Sequence, residues 1–596
     1  MLQGLSLTWD LEKIFPGGSQ SEELNRFMED LKQRLDALQQ EISSGRAPQT
    51  LEEAKNWAKV IDNIEELSGH LAEVGAFLSC LTAQNVKDEK AKLLYGRIQQ
   101  YFADFTSTLT SLDEQILKIP DEVWNQLLRE EFLREISFPL EERREKAKMR
   151  MDPVLERLAT DLSVDGYHAW GEYYNTVVGR ITIPFEIDGE KKELSVGQAN
   201  NLLDHEDRNV RRALFSKYEE AWADAAELTS GVLNHLGGFR LALYKNRGWD
   251  SVLKEPLEYN RMTEETLEAM WATVEKNKEI LVRYLERKAR LLGLDRLSWF
   301  DVDAPLRKSA AKISYDEGAH FIVEQFRRFN PKMADFAAHA FTNRWIEAED
   351  RPGKRPGGFC TNFPLTKESR IFMTYSGTMK NVSTLAHELG HAYHQSVMND
   401  LPYLAQDYAM NVAETASTFA EMIVSDAALK KASSKEEKIA LLDDKLSRAI
   451  AFFMNLHARF LFELDFYTER KKGPVSVDRL NELMAAAQKR AYKESLQQYH
   501  PYFWESKLHF YITEVPFYNF PYTFGFLFSS GIYARALAEG PAFAPRYEAL
   551  LRDTGRMKVE DLAKKHLGED LTKSDFWQSA VDLTLADAKE FLKLTE

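Results

Sequence analysis

The sequence predicts a mainly α-helical protein built from two lobes. Apolar residues recur at three-to-four-residue spacing through most of the chain, among abundant Glu, Lys, Gln and Arg, a pattern typical of amphipathic helices. The chain has 596 residues, more than one hydrophobic core usually supports, so two lobes or domains are expected. A stretch of β-type composition near residues 180–196 interrupts the helices and marks the approximate boundary between the lobes.

The first lobe, residues 1–195, is predicted to be helical and to end in a hairpin. Five helical segments are predicted, near 21–46, 51–82, 86–118, 121–148 and 152–164. Within 180–196, β-branched residues flank Asp188 and Gly189, a dipeptide that favours a tight two-residue turn. We therefore expect a β-hairpin there, followed by a second helical lobe over residues 196–596.

Charge, cysteine content and hydropathy disfavour several classes of protein. The net charge is −16 and no long basic run is present, so nucleic acid and anionic membranes are poor partners. Two cysteines, Cys80 and Cys360, give no disulfide framework and fit a reducing compartment. The first residues lack the basic and apolar regions of a signal peptide, and no apolar run of membrane-spanning length follows. We expect a cytoplasmic protein that does not associate with membranes.

The segment HELGH, residues 387–391, places two histidines four positions apart with a glutamate between them. On a helix, His387 and His391 lie on one face and can converge on one ion, while Glu388 sits about 100° round the helix. Zinc binds such ring nitrogens, and the glutamate carboxylate stays free to accept a proton from a water molecule. The alternative is a pair of histidines hydrogen-bonded inside a helical core. We predict a site for one catalytic Zn²⁺ per chain.

The HELGH segment is predicted to lie on a helix over residues 381–395. Asn381 or Ser383 is expected to be its N-cap, because short polar side chains accept hydrogen bonds from the first free backbone N–H groups. Gly390 weakens a helix by about 1 kcal/mol relative to Ala. A glycine at this place is favourable where another backbone or the substrate must come close.

Catalytic zinc usually takes three protein ligands, and the third is predicted to come from a following helix. Residues 407–430 have helical composition and carry Asp407, Glu414 and Glu421 at seven-residue spacing, near one face. Glu414 lies among small residues that would let two helices approach closely, so it is the predicted ligand. Asp407 and Glu421 are candidates for supporting the ligands, with a solvated helix face as the alternative.

His394 falls on the same stripe of the helix as the two predicted histidine ligands. It lies one turn beyond His391, too far along the axis for all three histidines to share one ion comfortably. We expect His394 to pack or to support the ligands. The metzincin pattern would place glycine at 394 and histidine at 397, where this chain has His394 and Val397, so that class is disfavoured.

A glycine-rich segment and then a stretch of β-type composition precede the predicted zinc helix. Residues 369–376 are expected to form a strand in a small β-sheet next to that helix, whose backbone groups could pair with an extended peptide. Gly357 and Gly358, with Phe359 beside them, are the candidate substrate-binding residues, because glycines permit close backbone approach. The alternative is an ordinary glycine turn that enters a hairpin.

Several motifs in combination resemble one peptidase family. They are Gly357-Gly358-Phe359-Cys360, Met373-Thr374-Tyr375-Ser376-Gly377, HELGHAYH at 387–394, Ala413-Glu414-Thr415-Ala416-Ser417, His509-Phe510-Tyr511 and PFYNFPY at 516–522. With the Trp9-Asp10-Leu11 opening and the chain length, they resemble oligoendopeptidase F, the bacterial relatives of thimet oligopeptidase, over nearly the whole chain. The resemblance implies a bilobed, mainly α-helical zincin-type fold that encloses a deep channel, and endopeptidase action on short unfolded peptides. It also implies one Zn²⁺ held by His387, His391 and Glu414, with Glu388 as general base.

The resemblance further implies a histidine and tyrosines from the C-terminal region at the active site. His509, Tyr511, Tyr518 and Tyr522 are the candidates for stabilising the tetrahedral intermediate, because phenol and imidazole groups can donate hydrogen bonds to a developing oxyanion. The alternative is that these rings belong to an aromatic core, since residues 502–533 are rich in Tyr and Phe.

Two other functions compete with the endopeptidase. A zinc exopeptidase of the carboxypeptidase or dipeptidase type has the same ligand spacing and differs in trimming peptide ends. A non-catalytic helical peptide-binding protein would need a lost ligand, yet all the proposed groups are present. Short peptides are the expected partners, and the sequence carries no sign of an oligomeric state.

Overall fold

The structure, a computed structural model, describes residues 2–131, 133–187, 189–306 and 312–596, and this part of the chain is mainly α-helical, as predicted. The chain divides into two compact units, each assembled from three segments. Unit 1 consists of Met1–Arg150, Ala310–Ala427 and Arg535–Gly568. Unit 2 consists of Met151–Ser309, Ala428–Ala534 and Glu569–Glu596.

Most of the described residues lie in α-helices, and short strands form two small sheets. The α-helices, in chain order, are α1 (Glu22–Ser44), α2 (Leu51–Gln84), α3 (Glu89–Lys118), α4 (Asp121–Leu127), α5 (Ser137–Lys148), α6 (Pro153–Ser163), α7 (Ala169–Val178), α8 (Val196–Leu202), α9 (Arg208–Asn246), α10 (Lys254–Tyr259), α11 (Glu264–Lys276), α12 (Glu279–Leu291), α13 (Tyr315–Phe329), α14 (Pro331–Thr342), α15 (Met379–Ser396), α16 (Met410–Ala413), α17 (Thr415–Lys431), α18 (Lys435–Ile450), α19 (Leu456–Arg470), α20 (Val477–Ala491), α21 (Phe503–Ser506), α22 (Phe520–Glu539), α23 (Ala544–Asp553), α24 (Val559–Leu567) and α25 (Ser574–Leu594). The strands are β1 (Thr182–Ile187), β2 (Glu190–Ser195), β3 (Ile346–Glu347), β4 (Phe359–Phe363) and β5 (Glu368–Phe372). Among the described helices, none is both long enough and apolar enough to cross a membrane.

The predicted N-terminal helices are present, with one correction. Helix α2 begins with a capping box in which Thr50 and Glu53 satisfy each other's backbone N–H groups. The predicted helix over 121–148 is instead two helices, α4 and α5, separated by residues 128–136. Arg134–Ile136 form a 3₁₀ turn before α5, and Leu133 and Ile136 are buried in the hydrophobic core.

One hydrophobic core joins the N-terminal helices to the region of the HELGH motif within unit 1. Apolar side chains of α1, α2 and α3 pack together with Phe363 and Phe372 of the small sheet and with Met398 and Leu401, which follow α15. This shared core explains why residues 1–150 belong to the same compact unit as 310–427. The predicted boundary at residue 195 lies inside unit 2, and the assignment of a catalytic domain to 196–596 stays a prediction.

The predicted β-hairpin is present in unit 2. Strands β1 and β2 pair antiparallel from Thr182 opposite Ser195 to Ile187 opposite Glu190, and Gly189 in the turn has a φ of 77°. Asp188, the other predicted turn residue, lies outside the described residues. The hairpin is anchored by Ile183 and Leu194, which form a buried cluster with apolar side chains of α9, namely Leu214, Tyr218 and Trp222.

The small β-sheet lies next to α15, as predicted, but its strands are arranged differently from the expectation. The strand predicted over 369–376 is shorter, Glu368–Phe372, and the strand order of the sheet is β3-β5-β4. Because β5 is central, its backbone is paired with parallel β3 on one side and with antiparallel β4 on the other. The outer strands are therefore β3 and β4, and β4 is the one that follows the glycine-rich segment, where an added peptide could pair with it.

Candidate metal centre

Helix α15 begins earlier than the sequence predicts, because Thr378 is its N-cap. The Thr378 side chain accepts a hydrogen bond from the backbone N–H of Asn381 at 3.1 Å. Asn381, one of the two predicted caps, instead occupies the third helical position, and its side-chain oxygen accepts hydrogen bonds from Ser376 and Thr378. Ser383, the other predicted cap, lies well inside the helix. The sequence does contain a signal for this N-cap: Thr378 and Asn381 stand three residues apart, as in a capping box, with Asn in place of the usual Glu or Gln.

Gly390 brings α15 against the beginning of α17. A Cβ atom added at Gly390 would lie 2.5 Å from the carbonyl oxygen of Ala416 and 2.6 Å from the Cα of Ser417. Both neighbours are backbone atoms, so they cannot move aside as a flexible side chain would. Of the two predicted reasons for a glycine between the two histidines, a nearby backbone or the substrate, the structure shows the nearby backbone.

We expect Gly390→Ala to destabilise the protein and to weaken metal binding together. Overpacking of a tight backbone contact costs about 1–3 kcal/mol, and the shift would move the segment that carries Glu414. The measurements are the midpoint of thermal unfolding and the zinc dissociation constant.

Gly96→Ala is the matched control for this prediction. Gly96 lies inside α3, where an added Cβ meets nothing within 4 Å. This change should be neutral or stabilising by about 0.5–1 kcal/mol, as for an unconstrained helical glycine. If both variants unfold alike and bind zinc like the wild type, Gly390 has no special role.

Glu414 does not lie in the middle of a helix, which corrects the expectation of one helix over 407–430. Helix α16 ends at Ala413 and α17 begins at Thr415, with Glu414 between them at φ −89° and ψ 6°. This conformation lies in the bridge region of backbone space that occurs at many functional sites. The Ser417 hydroxyl donates a hydrogen bond to Glu414 Oε2 at 2.6 Å and fixes its carboxylate. Ser417 was expected to act only as a small residue, although its spacing of three from Glu414 is visible in the sequence.

The three predicted ligands converge. Glu414 Oε2 lies 3.2 Å from His387 Nε2 and 3.4 Å from His391 Nε2, and the ligand atoms of the three residues lie within 4.8 Å of one another. Two atoms that are each about 2.1 Å from one zinc ion at a tetrahedral angle are about 3.4 Å apart. The two imidazoles and the carboxylate therefore fit a zinc ion in both spacing and donor type.

The electrostatics of Glu414 also suit a metal ligand. Burial alone would raise the pKa of this carboxyl group, but hydrogen bonds with His387 and His391 hold its pKa well below the usual range. The two imidazole rings are 4.9 Å apart and nearly perpendicular, at 83°. Glu414 is consequently an anion, and its Oε2 lies close to Nε2 of both histidines.

Glu421 contacts one of the predicted ligands, whereas Asp407 is not part of the group that could hold the ion. Glu421 Oε2 is 3.3 Å from His387 Nδ1, the ring nitrogen opposite the one that faces Glu414. A carboxylate there can accept the Nδ1 proton and hold the ring in the tautomer that binds a metal. Asp407 is exposed at the end of a short 3₁₀ turn.

His394 has a packing role, which is one of the two roles predicted for it. Its Nε2 lies 2.9 Å from Thr554 Oγ1 and 3.1 Å from the carbonyl oxygen of Leu551. Its ring is stacked on Tyr408 at 4.4 Å, and burial lowers its pKa to about 3, so the ring is neutral. His394 thus ties α15 to the end of α23.

Glu388 is buried beside the ligands and keeps one free oxygen. Its side chain is only 6% exposed, and Oε2 has no hydrogen-bond partner among the described residues. Burial raises the pKa of Glu388, partly offset by His387 and His391. A carboxylate with a raised pKa and an unoccupied oxygen is suited to accepting a proton.

The glycine-rich segment touches this carboxylate. A Cβ added at Gly358 would lie 3.4 Å from Glu388 Oε1 and 3.2 Å from the carbonyl oxygen of Phe372. Gly357 has a φ of 92°, in the left-handed region that favours glycine. Phe359 instead stacks on Phe372 at 5.2 Å and packs against the unit 1 core, so its contact with substrate stays a prediction.

His509, Tyr518 and Tyr522 form a cluster of rings within unit 2. The His509 ring lies 5.0 Å from that of Tyr518 and 6.0 Å from that of Tyr522, and the two tyrosines are stacked at 5.2 Å. All three side chains are half-buried, so part of each is accessible. Burial, with Arg459 and Lys507 nearby, lowers the pKa of His509 to about 4, so the ring is neutral near pH 7.

A strained turn holds Tyr518 in this cluster. Phe517 precedes it with a φ of 54°, a left-handed conformation that is unusual for a bulky residue. Asn519 follows it and is bound by the carboxyl group of Glu463 on α19. Glu463 is buried, and burial raises its pKa to about 8, partly offset by Arg240 and Asn519.

Tyr511 is placed differently from the other three candidates. Its side chain is 1% exposed and its ring stacks face to face on Tyr174 at 3.7 Å. Burial, Tyr174 and Glu505 raise its pKa well above the usual value. This surrounding favours the aromatic-core alternative, and a catalytic role for Tyr511 stays a prediction.

Comparison with known proteins gives consistent matches over nearly the whole chain. Family models described as "Peptidase family M3" and "Oligopeptidase F" match residues 201–583 and 115–183. An oligoendopeptidase F homolog of Lactococcus lactis subsp. lactis (strain IL1403) is 24% identical over 608 residues, covering 99% of this chain and 97% of the relative. Oligopeptidase PepF of Bacillus subtilis (strain 168) is 24% identical over 587 residues, covering 95% and 84%. The crystal structure of oligoendopeptidase-F from Enterococcus faecium has a TM-score of 0.70 at 18% identity, covering 96% and 98%, and therefore shares the fold.

Proposed function

Because this chain belongs to peptidase family M3, we propose that it is a zinc-dependent endopeptidase that hydrolyses internal bonds of short unfolded peptides. The observation that carries the proposal is the meeting of His387, His391 and Glu414 at tetrahedral zinc spacing beside the unpartnered Oε2 of Glu388. These four groups are the ligands and the base that hydrolysis at a metal site requires.

The proposed chemistry is general base catalysis by Glu388. A bound Zn²⁺ would polarise the scissile carbonyl and acidify the attacking water. Glu388 takes the proton of that water at Oε2 and delivers it to the leaving amine when the tetrahedral intermediate breaks down. Glu421 holds His387 through Nδ1, and Ser417 holds the Glu414 carboxylate. No covalent intermediate with the protein is needed.

Peptide recognition is proposed to use backbone groups of β4. This strand is one of the two outer strands of the sheet, and Gly358 immediately before it lies close to Glu388. Main-chain hydrogen bonds to an extended peptide depend little on side-chain identity, which suits a peptidase of unfolded substrates. Folded proteins cannot present such a free strand.

Tyr518 and Tyr522 are proposed, with His509, to donate hydrogen bonds to the oxyanion. Tyr518→Phe or Tyr522→Phe should then lower kcat by a factor on the order of 10²–10³, with little change in KM, because a hydroxyl that binds only in the transition state is removed. Steady-state kinetics with a fluorogenic peptide provides the measurement.

Tyr173→Phe is the control for the two tyrosine variants. Tyr173 is an exposed tyrosine of unit 2, 44% accessible, on α7. Its loss of a hydroxyl should leave kcat unchanged. A Tyr518 or Tyr522 variant that loses thermal stability while retaining kcat would favour the aromatic-core alternative.

The decisive experiment uses an internally quenched peptide blocked at both ends, together with metal analysis of the purified protein. An endopeptidase cleaves the blocked peptide, loses activity when a chelator removes the zinc, and regains it when zinc is restored. An exopeptidase would leave the blocked peptide intact and trim only the free one. A non-catalytic peptide-binding protein would cleave neither, even with one zinc per chain.

The cytoplasm is proposed as the location of the protein. Cys80 and Cys360 are both free, which fits a reducing compartment. The net charge of −16 argues against nucleic acid and anionic membrane surfaces as partners.

A further inference from the structure

Unit 2 contains a cavity of about 720 Å³ between the second half of α9, the loop after it and the end of α19. Its charged lining consists of Lys245, Arg470 and Lys471, with one carboxylate, Asp250, among the lining residues. Apolar side chains, including Phe239 and Val252, form part of the wall. No residue of this cavity belongs to the proposed metal centre.

Arg470 is held in place at the edge of this cavity. Its Nε donates a hydrogen bond to the carbonyl oxygen of Asn234 at 2.9 Å. The Asn234 side chain in turn binds both the N–H and the C=O of Val475, so α9 and the chain after α19 are fixed to each other. A Cβ at Gly238 would overlap with Arg470 Nη2, so the guanidinium occupies space that only glycine leaves open. Arg470 is therefore positioned before any ligand arrives.

The three cations of the lining have no acidic partners in the described parts of the chain. The neighbouring Glu469 pairs with Lys472 and Arg479 instead. Lys254 lies over the ring of Trp249, which also lines the cavity, and adds positive charge nearby, whereas Arg247 on the same ring is ion-paired with Glu156. The net charge of the chain is −16, so a concave surface with three cations and no ion-paired carboxylate is unusual for it. The three cations repel one another, and a bound anion would relieve that repulsion.

We propose that this cavity binds a small phosphate-bearing molecule through Arg470, Lys245 and Lys471. The planar guanidinium of arginine matches phosphate oxygens in pairs, and two lysines supply further charge. Three positive groups suit an anion with two or more negative charges, such as a phosphate monoester or a pyrophosphate, whereas a single peptide carboxylate carries only one. The apolar wall offers room for the organic part of such a molecule. This site goes beyond the proposed peptidase function and does not depend on it.

Titration calorimetry with pyrophosphate tests the proposal on the full-length protein. Lys245→Gln and Arg470→Gln should each weaken binding about tenfold or more, because each removes a charge-assisted hydrogen bond. Lys472→Gln is the matched control, since Lys472 is adjacent, exposed and outside the cavity lining. Lys245 is itself exposed, so its replacement does not threaten folding if the Arg470 variant proves unstable.

The outcomes separate this cavity from other anion sites. Pyrophosphate also chelates zinc and could therefore bind at the metal centre. If Lys245→Gln binds pyrophosphate as strongly as the wild type does, binding occurs outside the cavity and the proposal is wrong. Absence of binding in the wild type overturns it too. Equal affinity for citrate, a multivalent carboxylate, would refute the assignment to phosphate. Wild-type binding of pyrophosphate over citrate, lost in both cavity variants and kept in Lys472→Gln, supports it.

Discussion

Glu388→Gln is expected to keep its zinc and to lose nearly all turnover, with kcat reduced by a factor on the order of 10²–10⁴ or more. Glutamine has nearly the same shape as glutamate but cannot accept the proton of the attacking water. The ligands stay in place, because Glu388 is not among the three groups that converge. Metal analysis and single-turnover hydrolysis of the blocked peptide measure the two effects separately.

Stability provides a further test of the Glu388 variant. The carboxylate is buried with one unpartnered oxygen, and burial raises its pKa. A buried charge of this kind costs stability, so Gln should leave the unfolding midpoint unchanged or raise it. Glu89→Gln, at a glutamate with a 78% exposed side chain on α3, is the control and should behave like the wild type. Turnover retained in Glu388→Gln would refute the assignment of the base.

Glu414→Ala is expected to lower the zinc content sharply. The change removes one of three ligand groups and the only anionic one. Replacing a residue that merely supports a ligand costs about 10–100-fold in metal affinity, so loss of the ligand itself should exceed that range. Competition with a chelator of known affinity gives the dissociation constant, and the peptide assay should show a parallel loss.

Glu421→Gln is the matched comparison for the loss of Glu414. Glu421 contacts His387 at Nδ1 and lies on α17, the helix that begins immediately after Glu414. Its replacement should weaken zinc binding within the range of about 10–100-fold and leave the stoichiometry at one at saturating metal. If Glu414→Ala retained full zinc and Glu421→Gln lost it, the third ligand would be Glu421. If neither lost zinc, Asp407 would be the next candidate to test.

Much of the local structure could be predicted because it depends on short-range periodicity. The i, i+4 relation fixes His387 and His391 on one face of a helix wherever that helix lies. The hairpin over 180–196 follows from β-branched residues around a turn dipeptide, although its buried side chains, Ile183 and Leu194, are known only from the structure. The amphipathic pattern of α1 likewise places Leu24, Met28 and Leu31 in the core.

Predictions at element boundaries were less successful, because boundaries depend on contacts from outside the element. The N-cap of α15 is Thr378, and the predicted cap Asn381 serves as its partner. The predicted helix over 407–430 is interrupted at Glu414, where close packing under Gly390 and the Ser417 hydrogen bond fix a non-helical residue. The small residues around Glu414 favoured it as the ligand candidate but could not show this break.

The sequence by itself determined which chemical groups this protein has for holding a zinc ion and moving a proton, because their spacing along one helix is a local property. Only the tertiary structure decided that Glu414 meets the two histidines, that Glu421 supports His387, and that Tyr511 lies in an aromatic stack. The same holds for unit 1, in which residues 1–150 share a core with the HELGH region. These contacts join residues far apart in the chain, and they arise from burial and close packing, for which a linear pattern carries no distance information.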